Sequence, residues 1–361
     1  MSDWNYTFDP ISKANWLKQI EADLQPRVID SILTEWWPGE IMMPTQHADD
    51  RQQSIRLPDR LFVQAPRIME WIDTSVDDAK TINKRILDTL NYGVEYLVLY
   101  VDADKKMPFR LWLDGVLSDV IEIAVSLHQE SPEIIHAVRE IIPRSALMRL
   151  NRKNKGQSSS VFLEALQGSI DENAKSYRFI YEIPSTGEWT KQTADIFQLI
   201  INDLTYWTSQ GFNRLDFLEN CILKLTPDTQ YLKQIIQTRV LHLVWNNLWN
   251  LTTNPKNIST SSYLECHILP DNMTDPDKYL IRSSTSVLAA SLTGSHAICI
   301  HHFVDRNRPI PDYYKRIDRN IHHLLDMESE VYKAKDPLTG SYSLDYYTHR
   351  WTTDIWSRIQ F

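Results

Sequence analysis

The most constraining feature of this chain is a rhythm: short β-rich runs separated by helix-length amphipathic stretches. The runs fall at residues 67–72, 96–101, 119–126, 147–151, 178–183, 220–226, 262–269 and 297–303. Between them, residues 77–92 place Ala79, Ile82, Ile86, Leu87 and Leu90 at helical spacing. Residues 191–210 do the same with Ile196, Phe197, Leu199, Ile200, Leu204 and Trp207. Further helical patterns cover 228–249, 276–292 and 311–332, with only a short one near 108–113. Strands alternating with helices of this length predict βαβ units and a parallel sheet. Tyr96-Leu97-Val98-Leu99-Tyr100-Val101 is apolar throughout, as expected for a strand covered on both faces. Eight such units predict an α/β chain closed into a (β/α)8 TIM barrel, with a doubly wound open sheet as the rival.

The two ends break the rhythm. Residues 1–66 read as a helical and extended arm, and 67–361 as the barrel with a C-terminal turn and helix. In the arm, Ser12 is a plausible N-cap for a helix carrying Trp16, Leu17 and Ile20 on one face. A second short helix is expected over 28–35, stopped by Pro38-Gly39. An arm without a core of its own must pack on something, either its own barrel or a partner. At the other end, the turn Asp336-Pro337-Leu338-Thr339-Gly340-Ser341 leads into residues 342–347, which alternate like a short strand. Residues 348–360 follow as a helix striped with Trp351, Ile355, Trp356 and Ile359. Twelve tryptophans, many on helices, either fill the strand-to-helix layer or serve a subunit interface.

Charge and cysteine usage exclude several classes. A net charge of -9 argues against nucleic acid as the main partner, since phosphate binding needs a concentrated basic face. The one basic run, residues 149–155, reads as a solvated loop before a Gly/Ser stretch. Cys221, Cys266 and Cys299 lie far apart, without CxxC or zinc spacing; Cys221 and Cys299 read as buried thiols in strands, and a reducing cytoplasm fits. Neither a signal peptide nor a membrane-spanning apolar run is visible.

The chemistry carried by the residues is thin. Glycines do not assemble into GxGxxG or a P-loop, and Gly-x-Ser-x-Gly does not occur. In a barrel, side chains at the C-terminal strand ends face the site where chemistry is done. That rule singles out Glu182, His267 and His302. Glu182 could act as a general base, although pairing with Lys224 is the plainer account. His267 and His302 could hold a metal but lack a clear third ligand, and of the adjacent His301 and His302 at most one can point inward. His322-His323 reads as a surface or capping pair beside Arg319 and Asp326. No catalytic, cofactor-binding or metal constellation is assigned on these grounds.

In the C-terminal part, Asp275-Pro276 with Leu280-Ile281-Arg282-Ser283-Ser284-Thr285 is similar to the Asp-Pro…Leu-Arg-x-Thr run of the methylmalonyl-CoA mutase family, and Leu292-Thr293-Gly294-Ser295-His296 stands at the turn into the last strand. Arg316-Ile317-Asp318-Arg319-Asn320 resembles Arg-Ile-Ala-Arg-Asn, and Leu324-Leu325-Asp326-Met327-Glu328-Ser329 resembles Leu-x-x-Glu-Ser. Asp336-Pro337-Leu338-Thr339-Gly340-Ser341-Tyr342 and Trp356-Ser357-Arg358-Ile359-Gln360 continue the series, while Gln237-Thr238-Arg239-Val240-Leu241-His242 lies upstream. The opening, with Trp16-Leu17 and Pro44, and the later Leu113-Asp114-Gly115-Val116 also look like the family's small subunit.

The departures are in function. The family's Asp-x-His-x-x-Gly motif, which supplies the histidine beneath cobalt, is absent from these 361 residues. Its Tyr-His and Gln-Glu-Ala-Gly-Ala motifs give way to Ile183-Pro184-Ser185-Thr186-Gly187-Glu188-Trp189, and its Arg-Thr-His-x-Gln-Thr-Ser-Gly to Ser259-Thr260-Ser261-Ser262-Tyr263-Leu264. The resemblance therefore implies a small, non-catalytic subunit, binding no cofactor itself, in a heterodimer with a homologous cobalamin-binding large subunit. Adenosylcobalamin would sit on that partner. The alternatives are a standalone barrel enzyme acting on a small acyl or organic-acid substrate, and a ligand-free homodimeric scaffold.

Overall fold

Every strand of the main sheet has a parallel neighbour on both sides, so the sheet has no edge. The computed structural model describes residues 9–37, 39–43, 46–50, 55–62, 64–75, 77–102, 107–128, 132–143, 145–152, 177–185, 187–252, 263–269, 275–302 and 312–360. The ring runs β3 (Arg67–Asp73), β4 (Tyr96–Val101), β5 (Glu122–Leu127), β6 (Leu147–Arg152), β7 (Tyr177–Ile183), β8 (Cys221–Leu225), β9 (Tyr263–Ile268) and β10 (Ala297–Ile300). It closes where Ala297 pairs with Arg67 and Cys299 with Met69. This is the expected (β/α)8 barrel, and closure removes the exposed edges that an open sheet would have to protect.

Outside the ring lie α2 (Ala79–Asn91), α3 (Phe109–Trp112), α4 (Pro132–Ile141), α5 (Trp189–Ser209), α6 (Arg214–Glu219), α7 (Tyr231–Thr252), α8 (Pro276–Leu292), α9 (Asp312–Met327) and α10 (Tyr342–Arg358). One face of each strand points at these helices and joins the large core. The other face points into the ring, where Met69, Tyr96, Val98, Ala124, Ala297 and Cys299 form a separate inner cluster. Trp189, Trp207, Trp245, Trp249 and Trp351 are buried in the outer core, so these tryptophans fill the strand-to-helix layer.

The basic run does not form a solvated loop up to residue 152. Arg149 and Arg152 lie on β6 and are buried, pointing to opposite faces of the strand. Arg152 reaches outward to Asp203 on α5, with Nε 2.7 Å and Nη2 2.9 Å from its oxygens, and Tyr181 also donates to Asp203. Residues 153–155 lie outside the described residues.

Two expectations at the chain ends are corrected. Residues 342–347 begin α10 instead of forming a strand, because Leu344, Tyr347, Trp351 and Ile355 recur every three or four residues and are all buried. Residues 28–35 give a 3-10 turn at Ile29–Ile32 and then β1 (Thr34–Trp37), which pairs antiparallel with β2 (Glu40–Met42). This hairpin packs on its own barrel. Trp36 lies 5.3 Å from the Tyr347 and Trp351 rings, and Glu40 accepts from Arg350 at 2.9 Å and Trp351 at 3.3 Å. By contrast, α1 (Lys13–Leu24), capped by Ser12 as expected, buries none of its residues.

Candidate functional site

Strand parity decides what the barrel interior contains. On β9, Tyr263, Glu265 and His267 face inward while Leu264, Cys266 and Ile268 face the helices. The same alternation sends Arg149 inward from β6, Trp71 from β3, Lys224 from β8, and Cys299 followed by His301 from β10.

The dominant feature is an ion pair. Arg149 and Glu265, three strands apart in the ring, meet through two bonds of 2.7 Å with both side chains fully buried. Arg149 also donates to the Tyr96 hydroxyl at 2.5 Å and lies 5.4 Å from the Trp71 ring. Burial alone would raise the Glu265 carboxyl, but the Arg149 charge and its bonds outweigh that and hold it well below the usual carboxylate range. The same partnership keeps Arg149 charged despite burial.

Of the three residues singled out at the strand ends, His267 sits deepest. Its Nε2 is 3.2 Å from Glu265 and its Nδ1 is 3.0 Å from His301 Nε2. Burial pushes His267 below its ordinary value and takes His301 down to about 3, so both rings are neutral at neutral pH. Glu182, on β7, pairs with its register neighbour Lys224 on β8 at 2.5 Å, and Lys224 lies 5.6 Å from the Trp71 ring. His302 turns away from the interior. It bonds Asp318 on α9 at 2.7 Å and lies 3.7 Å from Glu70, in the strand-to-helix layer. Although burial works against its charge, those two carboxylates raise its pKa. Glu182, His267 and His302 are thus held in three separate networks.

His322-His323 is corrected in part. His322 is buried, which pushes it down to about 3, while half-buried His323 bonds the Tyr92 carbonyl at 3.1 Å. Arg319, beside that pair in sequence, is buried against Glu70 through bonds of 2.7 and 2.8 Å. The inner-ring residues that strand-end reasoning missed are Trp71, Arg149, Glu265, Cys299 and His301. A signal for some of them existed: Glu265 and His267 alternate with Leu264, Cys266 and Ile268, the pattern of one polar and one apolar strand face.

Residues 205–361 match the family model described as methylmalonyl-CoA mutase. The methylmalonyl-CoA mutase small subunit of Porphyromonas gingivalis is 23% identical over 97% of this chain, and that of Propionibacterium freudenreichii subsp. shermanii is 22% identical over 78%. The chain is thus similar to methylmalonyl-CoA mutases, with the family-model match confined to residues 205–361. It spans 62% of the first relative's length and 48% of the second's. Among solved structures, a Yersinia pestis DHPS matches at a TM-score of 0.42 and 12% identity, covering 77% of this chain and 99% of that one. That likeness is too distant to bear on function.

Set on the fold, the mutase-like motifs are architectural. Arg239 on α7 bonds Asp336 at 2.5 Å, Arg319 bonds Glu70, and Asp275 caps α8. Adenosylcobalamin, the cofactor the resemblance implies, is a broad, flat group that would need open space beside any residue holding it. Here the interior imidazoles His267 and His301 are bonded to each other, and His267 lies beside Trp71 with ring centres 6.0 Å apart. These residues do not fit a corrinoid. Among the described residues, no helix is long and apolar enough to cross a membrane.

Proposed function

We infer that this chain is a small, non-catalytic barrel subunit of an adenosylcobalamin-dependent methylmalonyl-CoA mutase, pairing with and stabilising a homologous cobalamin-binding large subunit. The observation that carries this reading is the occupied barrel axis. Inside the ring the charges of the Arg149–Glu265 and Lys224–Glu182 pairs are neutralised within each pair, with Trp71 beside both Arg149 and Lys224 and Tyr96 beside Arg149. Radical isomerisation of an acyl-CoA takes its reactivity from the cofactor, so a chain whose described interior does not suit a corrinoid would contribute support. The names borne by the relatives favour the same role. Buried free cysteines fit the reducing cytoplasm in which such an assembly would work. A permanent heterodimer would bury more than about 2,000 Å².

Co-expression with a homologous cobalamin-binding subunit tests the reading. The two chains should co-elute at equal stoichiometry, and the partner should lose stability when this chain is withheld. Isolated material should show no methylmalonyl-CoA turnover with added adenosylcobalamin. Failure to associate, or turnover by this chain alone, would overturn the assignment.

A further inference from the structure

The inner ends of β9 and β10 bring together three side chains whose chemistry is that of a soft metal centre. His267, Cys299 and His301 each offer one ligand atom within 4.8 Å of the others. His267 and Cys299 are opposed in the β9–β10 register, and His301 lies two residues further along the same inward face as Cys299. A strand pair with inward residues at these positions brings the three donor atoms to one place inside the ring. His301 is the half-buried member of the three.

We propose that His267, Cys299 and His301 bind a divalent cation of the zinc class, with the fourth position open to water or a small ligand. This goes beyond the supporting role above and does not depend on it.

Geometry comes first. In a tetrahedral zinc site, metal–ligand bond lengths put two nitrogens about 3.3 Å apart and a nitrogen and sulfur about 3.6 Å apart. The two ring nitrogens are already at 3.0 Å, so binding spreads them slightly and draws the sulfur in. The surroundings are also those of a metal ligand. A zinc-bound imidazole usually gives its other N–H to a carboxylate, which fixes the tautomer and aims the lone pair. Glu265 stands 3.2 Å from His267 Nε2, and Arg149 clamps both of its oxygens. With Nε2–H donating to Glu265, the lone pair of His267 lies on Nδ1, facing His301.

Charge is compatible. Arg149 is neutralised by Glu265 and Lys224 by Glu182, leaving the thiol to become the ion's own counter-charge. Binding releases one proton from Cys299 to solvent as the metal–sulfur bond forms. The His301 ring changes tautomer, its proton moving from Nε2 to Nδ1, and the His267–His301 hydrogen bond is replaced by two metal–nitrogen bonds. No oxidant or reductant is involved. The chemistry that fits is zinc or cobalt(II), since mixed thiolate and imidazole donors disfavour magnesium and calcium.

The test uses the full chain, stripped of metal by chelator and titrated separately with zinc and cobalt(II). Zinc should bind at one equivalent. Cobalt(II) should give the intense visible bands of tetrahedral coordination together with a near-ultraviolet thiolate-to-cobalt band. Cys299→Ser should abolish the thiolate band, and His301→Asn should weaken zinc binding by at least about 100-fold, more than loss of an outer partner costs. Cys221→Ser, at a buried thiol on the outer face of β8, should change neither readout. Wild-type protein without stoichiometric zinc, or a thiolate band that survives Cys299→Ser, would overturn the proposal. Should Cys299→Ser fail to fold, unchanged zinc affinity in His301→Asn would overturn it equally.

Discussion

Arg149 and Glu265 meet across the barrel interior, three strands apart, through two bonds of 2.7 Å with neither side chain exposed. A buried pair is costly to break because removing one partner strands the other as an uncompensated charge. Arg149→Ala and Glu265→Ala should each lower stability by about 3–5 kcal/mol in urea unfolding. The double replacement Arg149→Met with Glu265→Leu should recover most of that loss. Recovery stays incomplete because His267 Nε2 and the Tyr96 hydroxyl lose their partners. A double variant as unstable as the sum of the singles would refute this account of the axis.

Gly294 ties the barrel to the arm. Its φ is +76, and a Cβ there would stand 2.8 Å from Leu61 Cβ and 3.2 Å from the Leu61 carbonyl. Both the left-handed backbone and the overlap oppose a side chain, so Gly294→Ala should cost about 2–4 kcal/mol. Gly340 has a similar φ of +90 but open space around it. Gly340→Ala should cost only the backbone part, about 1–2 kcal/mol. Thermal unfolding of the two variants separates crowding from conformation.

The barrel was legible because its signal is periodic and repeated. Eight β-rich runs alternating with apolar helical stripes leave few architectures, and a fourth run with a charge at its centre still completes the ring. Local ambiguity misled the reading where the period was short. Tyr342-Ser343-Leu344-Asp345 alternates over too few residues to distinguish a strand from the first turn of α10. The interior was less legible because Arg149 and Glu265 are 116 residues apart, and composition cannot reveal that two isolated charges will share one axis. Cys299 was read as a buried thiol, which it is. That it stands with His267 and His301 depends on the β9–β10 register, which no local pattern encodes.

Arg239 does for the chain ends what Arg149 does for the axis. Fully buried on α7, it bonds Asp336 at 2.5 Å and the Ile55 carbonyl at 2.7 Å, while Asp336 accepts from the Leu57 amide at 2.8 Å. Helix, arm and C-terminal turn therefore share one carboxylate. Arg239→Ala and Asp336→Asn should each cost about 3–5 kcal/mol, and the double variant little more than either. Because the arm loses its anchor, trypsin should cleave after the exposed Arg56 faster in Arg239→Ala than in wild type. Equal cleavage rates would show that the arm is held by other contacts.

Glu70 lies between α2 and α9, facing Arg319, His302 and Thr89, with Asp318 behind His302. Burial would raise its carboxyl, but the bonds and charges of His302 and Arg319 outweigh that and set it at about 2. A carboxyl depressed in the folded chain binds its proton more readily once unfolded. Its contribution is therefore complete above the ordinary value of 4.5 and drains away as pH falls towards 2. The gap corresponds to about 3 kcal/mol. His302, raised above its ordinary value, stays charged through this window, so the loss belongs to Glu70. Urea unfolding of wild type and Glu70→Gln should differ most at pH 5–7, and the difference should shrink steadily below pH 4.5, until the two curves converge near and below pH 2. A difference that persists unchanged at pH 2.5 would mean that packing at this position, and not its charge, holds α9 to the barrel.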